Sequence, residues 1–107
     1  MSQPVMNDMI LFSMPVLHFE DRHRQCVGNC IKLGLGAIEV VLPTPPVGRY
    51  SWLEFTLPET GYRVKLLAEC TNVVQSEKGH TVLFRYKHIF PRDKSVLAEL
   101  FNAREAA

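Results

Sequence analysis

Apolar and polar residues alternate along most of this chain in short runs, and the period changes only once, near the end. Val64, Leu66, Ala68 and Cys70 alternate with Arg63, Lys65, Glu69 and Thr71, and Val82, Phe84 and Tyr86 alternate with Leu83, Arg85 and Lys87. A period of two sends one set to each face of a pleated strand, so both segments read as half-buried strands. In Tyr50–Leu57, Leu53, Phe55 and Leu57 alternate with Trp52, Glu54 and Thr56, which turns the aliphatic set inward and Trp52 outward. Met9–Phe19, Gln25–Leu33 and Ile38–Leu42 complete six strand-like runs, and Pro15 inside the first marks an edge strand or a bulge.

From Pro91 the period becomes helical. Val96, Leu97, Leu100 and Phe101 form one stripe, while Asp93, Lys94, Glu99 and Arg104 fall elsewhere. Pro91 or Arg92 opens the turn, with Asp93 at the positive end of the helix dipole. Six strands followed by one helix, over about 91–105, predict a mainly β fold: a small six-stranded antiparallel β-barrel with a C-terminal α-helix. The apolar stripe either closes the barrel or serves as a dimer surface.

Turn chemistry separates the runs. Glu20-Asp21-Arg22-His23-Arg24 is a charged turn, Gly34 and Gly36 permit a bend or close backbone approach, and Pro43–Gly48 lacks the N–H donors for a continuous ladder. Pro58-Glu59-Thr60-Gly61 is a turn with glycine placed for positive φ. Glu77-Lys78-Gly79 reads as a three-residue hairpin loop pairing Ser76 with His80, a register that sets Glu69 opposite Lys87 and Val73 opposite Leu83.

Composition narrows the function classes. A chain of 107 residues fits one domain, here 9–107 behind a polar lead over 1–8. Twelve Lys and Arg against eleven Asp and Glu leave a net charge of +1, which supplies no global footprint for nucleic acid or an anionic membrane. Three cysteines without dense spacing indicate a reducing compartment, hence the cytoplasm. Asp8 precedes the apolar stretch Met9–Leu17, and Ser13 and Pro15 interrupt it, so neither a signal peptide nor membrane insertion is expected.

Candidate chemistry is sparse. His18, His23, Cys26 and Cys30 invite a zinc reading, but on a strand Cys26 and Cys30 stand roughly 13 Å apart, too far to share a metal or a disulfide. No metal site is expected. Arg22-His23-Arg24 with Lys32 downstream offers a local anion site, set against the plainer reading of a solvated turn that protects a sheet edge. His80 and His88 sit at strand ends as structural histidines, and Arg49, Arg63, Arg85 and Arg92 are scattered. The chain has no nucleophile elbow, no phosphate loop and no His-Glu-x-x-His helix, and Gly34-Leu35-Gly36 lacks the third glycine of a dinucleotide site, so no enzyme is expected. Trp52, Tyr50, Tyr62 and Leu67 are candidates for an exposed contact patch.

The run from Met14 to Phe101 resembles the PilZ domain of bacteria: a first strand, a charged turn, a strand leading to a Gly-containing motif, a long hairpin ending in Phe84, then Pro91-Arg92-Asp93 opening a terminal helix. PilZ domains commonly bind cyclic di-GMP through Arg-x-x-x-Arg before the barrel and Asp/Asn-x-Ser-x-x-Gly at the strand turn. Here Asn29-Cys30-Ile31-Lys32-Leu33-Gly34 keeps the Asn and the Gly and puts Ile31 where the Ser belongs, while the frame ending at Gly36 keeps only the Gly. No arginine precedes Arg22, and Arg22 and Arg24 are two apart and follow the first strand.

The resemblance implies a non-catalytic protein-interaction module in cyclic di-GMP, motility or type IV pilus signalling. Its partners would be bacterial signalling, motility or pilus-assembly proteins, with no cofactor. The alternative is a cyclic di-GMP receptor with a rebuilt site drawn from Arg22, Arg24, Asn29, Lys32, Gly34 and Gly36, since a guanidinium grips phosphate bidentately and stacks on guanine. A single-strand nucleic-acid barrel ranks third, because the near-neutral charge counts against a groove that tracks phosphates.

Overall fold

Six amphipathic strands that each hide one face share a single interior, and they do so by closing on themselves. The computed structural model describes residues 9–21 and 24–106, without the side chains of Arg24, Glu105 and Ala106. The strands are β1 (Ile10–Asp21), β2 (Arg24–Leu33), β3 (Ala37–Leu42), β4 (Tyr50–Thr56), β5 (Arg63–Ser76) and β6 (Gly79–Ile89), followed by the helix α1 (Pro91–Ala106). They form a closed barrel in the order β1-β2-β3-β6-β5-β4, and every neighbouring pair is antiparallel. The predicted barrel and terminal helix are both present.

Alternation decides what fills the barrel. Met14 and Val16 of β1, Ile38, Val40 and Leu42 of β3, Leu53 and Phe55 of β4, Val64 and Leu66 of β5 and Val82 and Phe84 of β6 are all buried, in one cluster. Leu97 and Phe101 of α1 belong to the same cluster, which answers the question the stripe left open: the helix caps the barrel. Burying each such side chain is worth about 1.5–3 kcal/mol. Polar contacts fix the cap at both ends. The Tyr62 hydroxyl donates to the buried Asp93 carboxylate at 2.5 Å, and Arg104 reaches Glu59 at 3.4 Å while stacking on Phe12 at 4.6 Å.

Pro15 lies where β1 has a strand neighbour on one side only. It pairs with Asn29 of β2, whereas the β1–β4 pairing covers Leu17 to Phe19, and a register irregularity follows Leu11. A residue without an N–H is tolerated there. Gly61 takes the positive φ expected of its turn, 73°.

The β5–β6 hairpin departs from the expected register. Ser76 pairs with Gly79 and Gln75 with His80, so the loop is the two residues Glu77 and Lys78. Gly79 has the expected positive φ, 133°, but as a paired residue. Its missing side chain serves packing as well, since a Cβ would lie 2.6 Å from the Leu42 carbonyl oxygen. The shorter loop by itself sets Val73 opposite Val82 rather than Leu83, the irregularity between Cys70 and Asn72 moves the ladder by one more so that Glu69 faces Arg85 rather than Lys87, and the irregularity between Leu67 and Ala68 moves it back. Extra residues of this kind bend and twist long strands around a barrel, and a strict period of two cannot anticipate them.

Gly28 and Gly61 separate two costs of a side chain. At Gly28 an added Cβ would meet the Val41 carbonyl at 2.5 Å and Leu42 Cδ2 at 2.7 Å, so β3 must move; at Gly61 nothing lies within 4 Å and only the φ of 73° opposes substitution. Gly61→Ala is expected to cost about 1–2 kcal/mol and Gly28→Ala more, read from urea unfolding midpoints; the reverse order would contradict the close β2–β3 approach. Leu97→Ala should cost about 2–5 kcal/mol, and a smaller loss would mean that the helix does not seal the barrel.

Candidate functional site

The chemically reactive side chains gather at the end of the barrel where β1 turns into β2. His18 and Cys26 are cross-strand partners, and the Pro43–Gly48 loop passes beside them. Together with Glu20, Gln25, Thr44, Pro45 and Val47 they line an open cleft of about 390 Å³. Glu20 holds the loop in place. Its carboxylate accepts the Val47 N–H at 2.9 Å and the Gly48 N–H at 2.5 Å, supplying partners to a Pro-rich segment that has no ladder of its own. Gly48 leaves room for that carboxylate, since a Cβ there would come within 3.1 Å of it.

His18 points inward from β1 and is buried. Its Nε2 lies 2.8 Å from Ser51 Oγ, its Nδ1 lies 3.7 Å from Cys26 Sγ, and its ring tilts against Phe84 at 5.7 Å. Burial lowers its pKa despite the opposing pull of Glu20. The imidazole is therefore held neutral, one nitrogen donating and the other accepting. A Ser-His contact of this kind resembles half of a catalytic triad, but Ser51 is 1% exposed and its hydroxyl is shielded from solvent.

The cysteines are equally quiet. Burial raises the pKa of Cys26 and pushes Cys30 up to about 12, so both are thiols rather than thiolate nucleophiles. Cys30 donates to the Lys32 carbonyl at 3.4 Å, and all three cysteines are free. Among the described residues no group of three or more metal-ligating side chains converges. His23, the fourth member of the zinc reading, lies outside the described residues.

The residues read as a rebuilt nucleotide site spread along β2. Arg22 lies outside the described residues, and Arg24 opens β2 opposite Asp21. Asn29 is exposed between Pro15 and Val41, and Lys32 is exposed between Leu11 and Glu39. Eight residues of extended chain separate Arg24 from Lys32, roughly 26 Å. Gly34 and Gly36 fasten the chain through their backbone groups. Gly34 donates to the Ala37 carbonyl at 2.8 Å and accepts the Tyr86 hydroxyl at 2.9 Å, while the Gly36 carbonyl accepts the Tyr86 N–H at 2.9 Å.

Two arrangements on the outer wall depend on which strands meet. Arg49 and Arg85 converge on one carboxylate, with Arg49 Nε donating to Glu69 Oε2 at 2.5 Å and Arg85 Nη2 to Oε1 at 2.9 Å. Those bonds, from Arg49 first and then Arg85, hold Glu69 below the usual carboxylate range. The second arrangement is an apolar row. Phe19 faces Trp52, Trp52 faces Leu67, Leu67 faces His88, and the His88 and Phe90 rings meet edge to face at 5.5 Å. Lys65 lies over both the Phe19 and Trp52 rings, at 5.3 and 5.4 Å. Trp52 and Leu67 are thus neighbours as the contact patch required, but Tyr62 is not among them, because its hydroxyl is committed to Asp93 at the helix. An apolar residue in the outward phase of β1, as Phe19 is, was the available signal.

No protein-family model matches this sequence, and no curated protein matches it. Solved structures share its fold. The Bacillus subtilis inhibitor of motility MotI/DgrA superposes with a TM-score of 0.77 at 16% identity, over 92% of this chain and 49% of that one, so this chain spans about half the length of MotI/DgrA. The PilZ domain of CeSA from a cellulose-synthesizing bacterium gives a TM-score of 0.65 at 18% identity, over 91% of this chain and 97% of that domain. The barrel with its helical cap is PilZ-like in fold, as the sequence resemblance implies.

The neutral His18 carries a pH signature. Because its folded pKa is depressed below the ordinary 6.5, acidification loads a proton onto the unfolded chain first. Stability is then complete above about pH 7 and falls as pH drops through 6.5 and below. The melting temperature should decline between about pH 7 and pH 5, and His18→Gln should remove part of that decline. Glu69, also depressed, enters only below its ordinary 4.5 and so acts in a separate, more acid window. Identical slopes for wild type and His18→Gln would show that His18 is not held neutral.

Proposed function

We propose that this PilZ-like barrel is a non-catalytic protein-interaction module of bacterial cyclic di-GMP, motility or type IV pilus signalling. It acts in the cytoplasm on a signalling, motility or pilus-assembly protein and does not grip the nucleotide through the usual motif. The observation that carries this reading is the dispersal of the candidate ligand residues. Arg24 begins β2, Lys32 stands near its far end, and Gly34 and Gly36 are consumed by Tyr86. Ile31, in the motif's serine position, presents an exposed hydrocarbon that offers phosphate no hydrogen bond.

The reactive groups support the non-catalytic part of the reading. The His18 imidazole and the Cys26 thiol at the cleft are neutral, and the Ser51 hydroxyl bonded to His18 is buried. What the surface offers instead is the row from Phe19 to Phe90, an aromatic-rich strip of the composition found at the centre of protein interfaces. The name of the half-matching MotI/DgrA, an inhibitor of motility, supports the motility context. No described helix is long and apolar enough to cross a membrane.

A receptor is the second reading, favoured by one observation: the cleft is lined by Gln25, whose immediate neighbour in sequence is Arg24. Isothermal titration with cyclic di-GMP separates the two, with Arg22→Ala and Arg24→Ala measured alongside. The module reading expects no saturable heat. Micromolar or tighter binding that disappears in the variants would establish a receptor with a rebuilt arginine site.

A further inference from the structure

Barrel closure removes sheet edges only where neighbouring strands run side by side, and these strands range from 6 to 14 residues. Several stretches therefore outrun a neighbour, and most are blunted. The first half of β1 has no β4 partner, but it contains Pro15 and a register irregularity, and Arg104 of the helix stacks on its Phe12. The first half of β2 outruns β3 where Thr44 and Pro45 lie close to Gln25 and Cys26. At the end of β6, Lys87–Ile89 outruns β3 briefly and carries a lysine.

The last part of β5 has none of these protections. Thr71–Ser76 belongs to the hairpin with β6, yet the β4–β5 pairing stops at Tyr50 and Glu69, and just beyond it the Cys70 N–H donates to the Arg49 carbonyl at 2.8 Å. All six residues are exposed, including Val73 at 40% and Val74 at 53%. Thr-Asn-Val-Val-Gln-Ser contains no charge, proline or glycine, which is the composition of an edge that accepts another strand. Among the described residues no strand pairs with its outer side.

We propose that Thr71–Ser76 is a docking edge for a second copy of this chain, with β5 pairing antiparallel to the β5 of that copy in a continuous β6-β5-β5-β6 ribbon. Three features single out this occupant. The edge is free on one side only, because β6 holds the other, so pairing saturates at two copies rather than growing into a fibre. A twofold axis perpendicular to the ribbon sets Val74 opposite its own counterpart, Val73 opposite Gln75 and Asn72 opposite Ser76, all uncharged, so the two edges meet without repulsion. At the ends, Glu77 of one copy falls opposite Thr71 of the other and Lys78 opposite Cys70, so no like charges meet, and a net charge of +1 lets two copies approach. A partner that selected its target by charge would find none along this edge.

The test uses the full chain and is independent of the nucleotide titration. Sedimentation across a range of concentrations should resolve a reversible dimer, and the amide protons of Asn72–Ser76 should exchange more slowly as concentration rises. A Val73→Lys, Val74→Lys double variant changes only exposed side chains and should stay folded by thermal melt while its dimer dissociation constant rises at least about tenfold, since like charges then oppose across the axis. Leu11→Lys, on the blunted β1 edge, should leave it unchanged. A wild type that remains monomeric at all concentrations, a dimer indifferent to the double lysine variant, or open-ended association would each overturn the proposal. So would edge amides that slow only when an unrelated protein is added, which would assign the edge to a partner's strand instead.

Discussion

Leu17 with Glu54, His18 with Leu53 and Phe19 with Trp52 are the pairs that join β1 to β4, and through them the sheet becomes a barrel. Everything else in the structure leans on this short seam. If it opened, the interior set from Met14 to Phe84 would face water along one side, and the gain from burying it would fall with the area exposed. The seam is narrower than the seven-residue pairing of β4 with β5, so side chains reinforce it. His18 bridges inward to Ser51 and Phe84, and Phe19 and Trp52 share Lys65 on the outside.

A histidine at that seam is an unusual plug for a small barrel, and its chemistry follows from where it sits. Burial keeps it neutral, and two partners on two strands keep it satisfied. The same seam positions Glu20, whose carboxylate organises a loop that proline-rich sequence leaves without backbone partners. The polar groups at this end are therefore spent on architecture.

The two ends and the wall of the barrel are treated differently by the sequence. One end is closed by Leu97 and Phe101, the other is skirted by the Pro43–Gly48 loop, and the wall carries both an aromatic row and a shielded Glu69 between two arginines. Exposed arginines at 71% and 62% over a carboxylate at 8% make an ion cluster whose attraction is partly screened by solvent. Their effect is geometric: they tie the end of the β3–β4 loop to the β5–β6 hairpin. Beyond that tie the hairpin arm runs on alone, a stretch of backbone with one unsatisfied side.

Element type and order were set by the sequence alone, because hydrophobic period is a local property: period two in Arg63–Thr71, a helical stripe from Val96 to Phe101, glycine at the turn ending in Gly61. The inward set was equally legible, since a half-buried strand has only two faces to choose from. What the period could not carry was the register of a long hairpin, because a loop one residue shorter and an irregularity between Cys70 and Asn72 each move the pairing by one, and so Glu69 met Arg85 instead of Lys87. The candidate site shared that fate. Asn29, Lys32 and Gly34 were read together as a string, but an extended strand spreads them over roughly 17 Å, and their surroundings came from β1, β3 and Tyr86. The His18–Ser51 contact, the Glu20 hold on the loop and the open edge of β5 exist only once strands of unequal length are closed around one core, since each depends on which distant segment arrives beside it and where that segment stops.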